Sequence, residues 1–257
     1  MSLYCMSSLY NYMVDLAPFI FEITIESLKF FEEFFGVPYS FNKYDQVFAH
    51  EYKAGAMENA GIVTFRDQYI FKEKVSTQRM LRLAITISHE LSHHWFGNLV
   101  TMKWWDDLWL NESFADFISH YCLEEIKGKI KTINYDSCMT TFVNRKASGY
   151  REDELVTTHP IRADVPNTIV ADLIFDMITY AKGASTMQQL LFLMGKKNFS
   201  AGLKDHFKRY GFKNATLEQF MAELQRHFES KELSLEEWKK YWLETSSFNI
   251  LTPFWNP

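Results

Sequence analysis

Residues 89–93 read His-Glu-Leu-Ser-His, a word that makes a metal site only where the chain is helical. On an α-helix, positions four apart lie about 40° apart around the axis and roughly 6 Å apart at Cβ. His89 and His93 can therefore offer both imidazoles to one ion from a single turn, whereas a strand would separate them by about 13 Å. Glu90 is turned about 100° from His89, so it flanks such an ion without necessarily binding it and is close enough to take a proton from water there. A catalytic zinc site uses three protein ligands and keeps one position open for water, whose pKa drops to about 7. Glu112, in Asn111-Glu112-Ser113 after a gap of eighteen residues from His93, is the best candidate for the third ligand. The competing reading is two core histidines and a glutamate buried without metal, which is costly unless every polar group is paired.

Other polar residues near these words carry blander expectations. His94 points about 100° away from His93 and suits a structural or solvent-facing role. His120 and His159 are isolated and read as structural. Asp116, one turn beyond Glu112, is either a hydrogen-bond partner behind a ligand imidazole or a solvated or capping carboxylate.

The surrounding pattern is α+β. Residues 22–35 predict a helix with Ile25, Leu28, Phe31 and Phe35 on its apolar face, stopped by Gly36 and Pro38. Segments 46–52 and 62–71 are β-rich, with Gly55 and Gly61 bracketing a turn between them. Helices are then expected over 77–97 and 111–126, the second with Asn111 as N-cap, and the chain is helical from Ile169 onward. Thr216 with Gln219, and Ser234 with Glu237, have capping-box spacing. With no repeats or Pro/Gly-rich linkers, 1–257 is expected to be one catalytic domain: a helix plus small sheet over 1–75 and a helical body over 76–257.

A net charge of −5 argues against a nucleic-acid partner, and no apolar run reaches membrane-spanning length. The cysteines Cys5, Cys122 and Cys138 form no framework; with no visible signal peptide they favour a reducing, cytoplasmic compartment. The 23 Phe, 13 Tyr and 7 Trp imply either a dense core or faces that pack on further domains.

Three words together resemble one family. His-Glu-Leu-Ser-His-His-Trp-Phe-Gly-Asn (89–98) with Asn-Glu-Ser-Phe-Ala (111–115), Gly-Ala-Met-Glu-Asn (55–59) and Phe-Asp-Met-Ile-Thr-Tyr-Ala-Lys-Gly-Ala (175–184) resemble the zinc aminopeptidases of the gluzincin clan, in the same order. The resemblance extends from about Phe19 to Trp242 and implies a thermolysin-like fold binding one Zn²⁺. It implies His89, His93 and Glu112 as metal ligands, Glu90 as general base and Tyr180 as the phenol stabilising the oxyanion. It also implies Glu58 as the anchor of a substrate's free α-ammonium, with Gly55, Ala56, Met57 and Asn59 lining the substrate. Ala60 departs from the tryptophan of many relatives. The implied partners are peptides with a free N-terminus and the N- and C-terminal domains that flank this region in the family. Two alternatives stand beside the aminopeptidase reading: a zinc-binding but catalytically weak isolated domain, and a leukotriene-epoxide hydrolase, whose relatives usually carry Gly-Gly-Met-Glu-Asn.

Overall fold

The computed structural model describes residues 1–249 and 251–255 and has the α+β organisation that the patterning implies. Strands β1 (Leu3–Tyr4), β2 (Asp45–Ala49), β3 (Ala56–Met57) and β4 (Ile62–Arg66) form a sheet in the order β1-β2-β4-β3. The first three in that order are parallel, with Asp45 opposite Ile62 and Phe48 opposite Phe65. Parallel neighbours need a long crossover, and between β1 and β2 that crossover is helix α1 (Tyr10–Phe35). The 55–61 segment departs from the expected plain turn. It contributes β3, which runs antiparallel along the outer edge of β4 with Ala56 opposite Phe65. The stretch carrying Glu58 is thereby held as a sheet edge, and β3 also contacts helix α2 (Thr77–Ser92).

Helix α1 starts at Tyr10 rather than at residue 22 and carries Pro18 within it. Its buried face runs through Leu16, Ile20, Ile23, Ser27, Phe31 and Phe34, while Ile25 is exposed and Leu28 half-buried. Packing against α2 and α3 selects that rotation: Phe31 and Phe35 sit 5.9 and 5.4 Å from the Trp95 ring. Gly36 ends the helix in the left-handed region at φ 60°.

Helix α2 stops at Ser92, earlier than the expected residue 97. The chain folds back at once, with Asn98 N–H donating to His93 O (2.8 Å) and Gly97 N–H to Val100 O (3.0 Å). Strand β5 (Val100–Met102) leads through a 3₁₀ turn (Trp105–Asp107) into α3 (Leu108–Ile126). Asn111 therefore lies inside α3 and is not its N-cap, a correction to the sequence reading. Helix α4 (Cys138–Asp153) has no clear signal in the sequence; Ser137 and the Glu124 carboxylate of α3 together cap it.

Beyond it come α5 (Thr168–Leu173), a π-helical turn (Ile178–Lys182), α6 (Gly183–Met194), α7 (Lys196–Tyr210), β6 (Lys213–Ala215), α8 (Leu217–Gln225) and α9 (Leu235–Trp242). Strand β6 pairs in parallel with β5, and both expected capping boxes form. The aromatic load builds a continuous core in which Phe96 stacks on Phe114 at 4.5 Å, each such ring contributing about 1.5–3 kcal/mol by burial. Among the described residues no helix is long and apolar enough to cross a membrane.

Candidate metal centre

The last turn of α2 and its C-cap residue, which keeps helical φ and ψ, place His89 and His93 on one face, as four-residue spacing requires. Glu112 reaches them from the second turn of α3. The two Nε2 atoms are 3.1 Å apart, and Glu112 Oε2 lies 3.4 Å from that of His89 and 3.7 Å from that of His93. Ligands bound at about 2.0–2.1 Å around a tetrahedral ion are separated by about 3.3 Å. These three atoms therefore fit one face of such a tetrahedron, and two imidazole nitrogens with one carboxylate oxygen are a donor set suited to zinc.

The ring of His93 is oriented from behind. Its Nδ1 donates to Phe96 O (3.2 Å) and Asn111 Oδ1 (3.2 Å), leaving the Nε2 lone pair directed at the centre. Asn111 also sends Nδ2 towards Glu112 Oε1 (3.4 Å) and Glu58 Oε1 (3.5 Å), so one amide links three residues around the centre. The approach depends on Gly97, whose φ is 132° and where a Cβ would meet Asn111 Oδ1 at 2.5 Å. Sequence reasoning missed this role of Asn111; its position next to Glu112 was the one available signal.

Glu58 stands beside the triad, its Oε1 3.9 Å from His93 Nδ1, and with Glu90 and His93 it forms an overlapping cluster. Its loop is tied down twice. Glu58 O accepts from Asn98 Nδ2 (2.7 Å), and Gly61 N–H donates to His94 Nε2 (3.3 Å). His94 Nδ1 meanwhile donates to Glu90 O (3.1 Å), so this buried ring braces the loop against α2; burial holds its pKa down, at about 4. Of the rest of the 55–59 word, Met57 is exposed, and Asn59 turns its amide to Thr64 Oγ1 (3.2 Å).

The electrostatics suit a bound cation. Glu90 is buried, and that burial raises its carboxyl to about 7 against the partial relief given by His89 and His93. Burial opposes charge on His93 too, but Glu58 and Glu112 outweigh it and raise the imidazole to about 10. Glu112 is also penalised by burial, yet the two histidines hold it well below the carboxylate range.

Tyr180 occupies the π-helical turn, its ring stacked 6.5 Å from that of His89 and its hydroxyl directed at Glu112. Burial and then the Glu112 charge push its pKa far up, so it remains a neutral phenol able to donate. Phe175 packs edge-on at 5.0 Å, and the Arg145 guanidinium lies 5.5 Å over the ring. Asp116 follows neither expected role: it is buried and holds Arg145 Nε at 2.6 Å. His120 donates to Asp116 O (2.7 Å), a structural role, and His159 meets Asp176.

Residues 19–245 match the family model described as "Peptidase family M1 domain". Aminopeptidase N of Streptomyces lividans is 44% identical over 98% of this chain and 29% of its own length. Aminopeptidase M1-B of Oryza sativa subsp. japonica is 38% identical over 80% of the chain and 23% of its own length. For Leucyl aminopeptidase of Saccharolobus solfataricus the values are 37%, 79% and 25%. The chain thus spans less than a third of the length of these curated relatives.

Proposed function

The chain belongs to peptidase family M1, and from that premise we propose that it carries the catalytic centre of a zinc aminopeptidase, which removes the N-terminal residue of peptides. His89, His93 and Glu112 hold the zinc. When bound, that ion supplies Lewis acidity, lowering the pKa of water to about 7 and polarising the scissile carbonyl. Glu90 takes the proton of the attacking water and passes it to the leaving nitrogen; a carboxyl poised near neutral pH suits both transfers. Tyr180 donates its hydroxyl to the developing oxyanion, and its raised pKa keeps the proton in place to do so.

The observation that carries the reading is Glu58 beside the triad. Glu58 and Glu90 form one cluster with His93, and Glu112 forms another with His89 and the same His93, so three carboxyl groups surround the centre. Glu112 would serve as ligand and Glu90 as base, so Glu58 is the carboxyl group left to meet a single α-ammonium. An anion fixed on the β3 edge also limits how far a peptide enters, which restricts cleavage to the first bond.

The test compares Glu58→Ala with wild type on aminoacyl fluorogenic amides bearing free or acetylated amines, with zinc measured on the same samples. The variant is expected to keep zinc and lose discrimination between the two amine forms. Equal cleavage of both forms by the wild-type chain overturns the aminopeptidase reading. Full zinc with no turnover on either form assigns the isolated chain to a metal-binding, catalytically weak domain.

A further inference from the structure

We propose that His159 and Asp176 form a positioning pair that sets Tyr180 in the cleft, a role that rests on Tyr180 being the oxyanion donor. Asp176 lies at the entrance to the π-helical turn and binds its first three backbone N–H groups. Its Oδ1 accepts from Ile178 (2.8 Å) and Thr179 (3.2 Å), and its carbonyl accepts from Tyr180 (3.0 Å). Donors at the start of a helical turn have no partner inside it, so one residue fixes both the direction and the phase of the turn. The phase decides where Tyr180 points.

The far side of Asp176 is held in its turn. Its Oδ2 faces His159 Nε2 at 3.1 Å, while His159 Nδ1 faces Pro160 O at 2.7 Å. Both ring nitrogens thus meet acceptors, and only the imidazolium can donate from both. The ring sits in the connection between α4 and α5, so the pair ties that connection to the tyrosine turn. The opposite side of the turn is anchored on α3: Ser113, next to Glu112, donates from Oγ to Thr179 O at 2.5 Å. A Cβ at Gly183 would fall 1.9 Å from that Oγ. Tyr180 is therefore located between an inner anchor on the ligand helix and an outer anchor at His159.

The two anchors respond differently to pH. Burial works against charge on His159, but the Asp176 hydrogen bond and charge and the Pro160 carbonyl outweigh it. Lys182, itself paired with Asp153 at 2.8 Å, is the opposing cation. The imidazole pKa is accordingly raised in the folded protein. The outer anchor is complete below the ordinary histidine value of about 6.5 and weakens as pH rises through the raised folded value, because the neutral ring can donate to only one of its two acceptors. Ser113 does not titrate, so the inner anchor persists.

The experiment reads amide hydrogen exchange at Ile178, Thr179 and Tyr180 against pH, in zinc-loaded wild type, His159→Gln and Asp176→Asn, with melting temperature and zinc content alongside. Wild-type protection at these three amides, corrected for intrinsic exchange, is expected to fall as pH rises. In His159→Gln it should be lower by about tenfold, the effect of losing a charged hydrogen bond, and should no longer follow pH. Asp176→Asn keeps an acceptor at the turn and should lose the same pH dependence. With an aminoacyl amide, kcat should drop in His159→Gln with KM little changed, and show no further drop when Tyr180→Phe is already present. Protection at the three amides that is flat with pH in the wild type, or unchanged in His159→Gln, overturns the pair. Independent kcat losses in the double variant overturn its action through Tyr180. Normal turnover by Tyr180→Phe alone instead counts against the functional reading, while the exchange data still decide the pair.

Discussion

The two walls of the centre are built in different ways. The metal wall consists of the last turn of α2 and the second turn of α3, continuous helices whose inner residues are almost wholly buried. The tyrosine wall is a π-helical turn flanked by the short helix α5, with Ile169, Leu173 and Phe175 exposed around it. On the first wall, helix geometry aims the ligands and one amide, Asn111, locks them. On the second, side chains brought from other segments cap the backbone. Substitutions on the metal wall should therefore change metal binding, and those on the tyrosine wall should change turnover or local order alone.

The largest expected effect comes from the residue that breaks this division. Glu90 belongs to the metal wall but lies off the ligand face of α2. Glu90→Gln should keep zinc at one per chain while kcat drops by about 10²–10⁴. Zinc content by atomic absorption beside turnover checks it, and joint loss of metal and activity would place Glu90 among the ligands.

Tyr180→Phe sharpens the comparison from the other wall. Removing one oxyanion donor costs about 10²–10³ in kcat, with zinc affinity little changed because the hydroxyl is not itself a ligand. A measurable change in zinc affinity would show that the Tyr180–Glu112 contact supports the ligand as well.

Gly97→Ala should do the reverse. The added Cβ displaces Asn111 Oδ1, and the backbone at φ 132° resists any side chain, so His93 loses its orienting partner. Loss of such a partner typically weakens metal affinity by about 10–100-fold. Competition against a chelating dye measures this, and Asn111→Ala should reproduce most of it without the backbone strain.

How much of this was legible in the sequence follows the same division. The pair His89 and His93 depends on helical periodicity alone, and Glu112 lies close along the chain in a helix that the pattern also indicates. Asn111 was misread as an N-cap because α3 starts earlier, at Leu108. The preceding 3₁₀ turn is held through Asp107, whose Oδ2 accepts from the N–H of Leu217 across 110 residues. Helix α4 was missed because part of its cap comes from Glu124 on another helix. The β3 edge and the parallel register of β2 with β4 likewise depend on partners remote in sequence. Tyr180 had no local signal of its own; only the resemblance of its segment marked it.

The smallest expected effect tests whether the tyrosine wall is as modular as its construction suggests. Helix α5 is six residues long, and Asn167 caps it by accepting from the N–H groups of Ile169 (3.0 Å) and Val170 (3.1 Å). Replacing an asparagine N-cap by alanine costs about 1 kcal/mol. A helix this short has little propagation to spread that loss, so Asn167→Ala should raise exchange at Ala171 and Ile174, whose N–H groups bond back to residues 167 and 170. Protection at Ile178–Tyr180 should stay unchanged, because those amides are held by Asp176 and not by α5. Zinc affinity should not move. If exchange at Tyr180 rose together with that of α5, the wall would be one cooperative unit, and the contrast with the metal wall would be one of stability and not of construction.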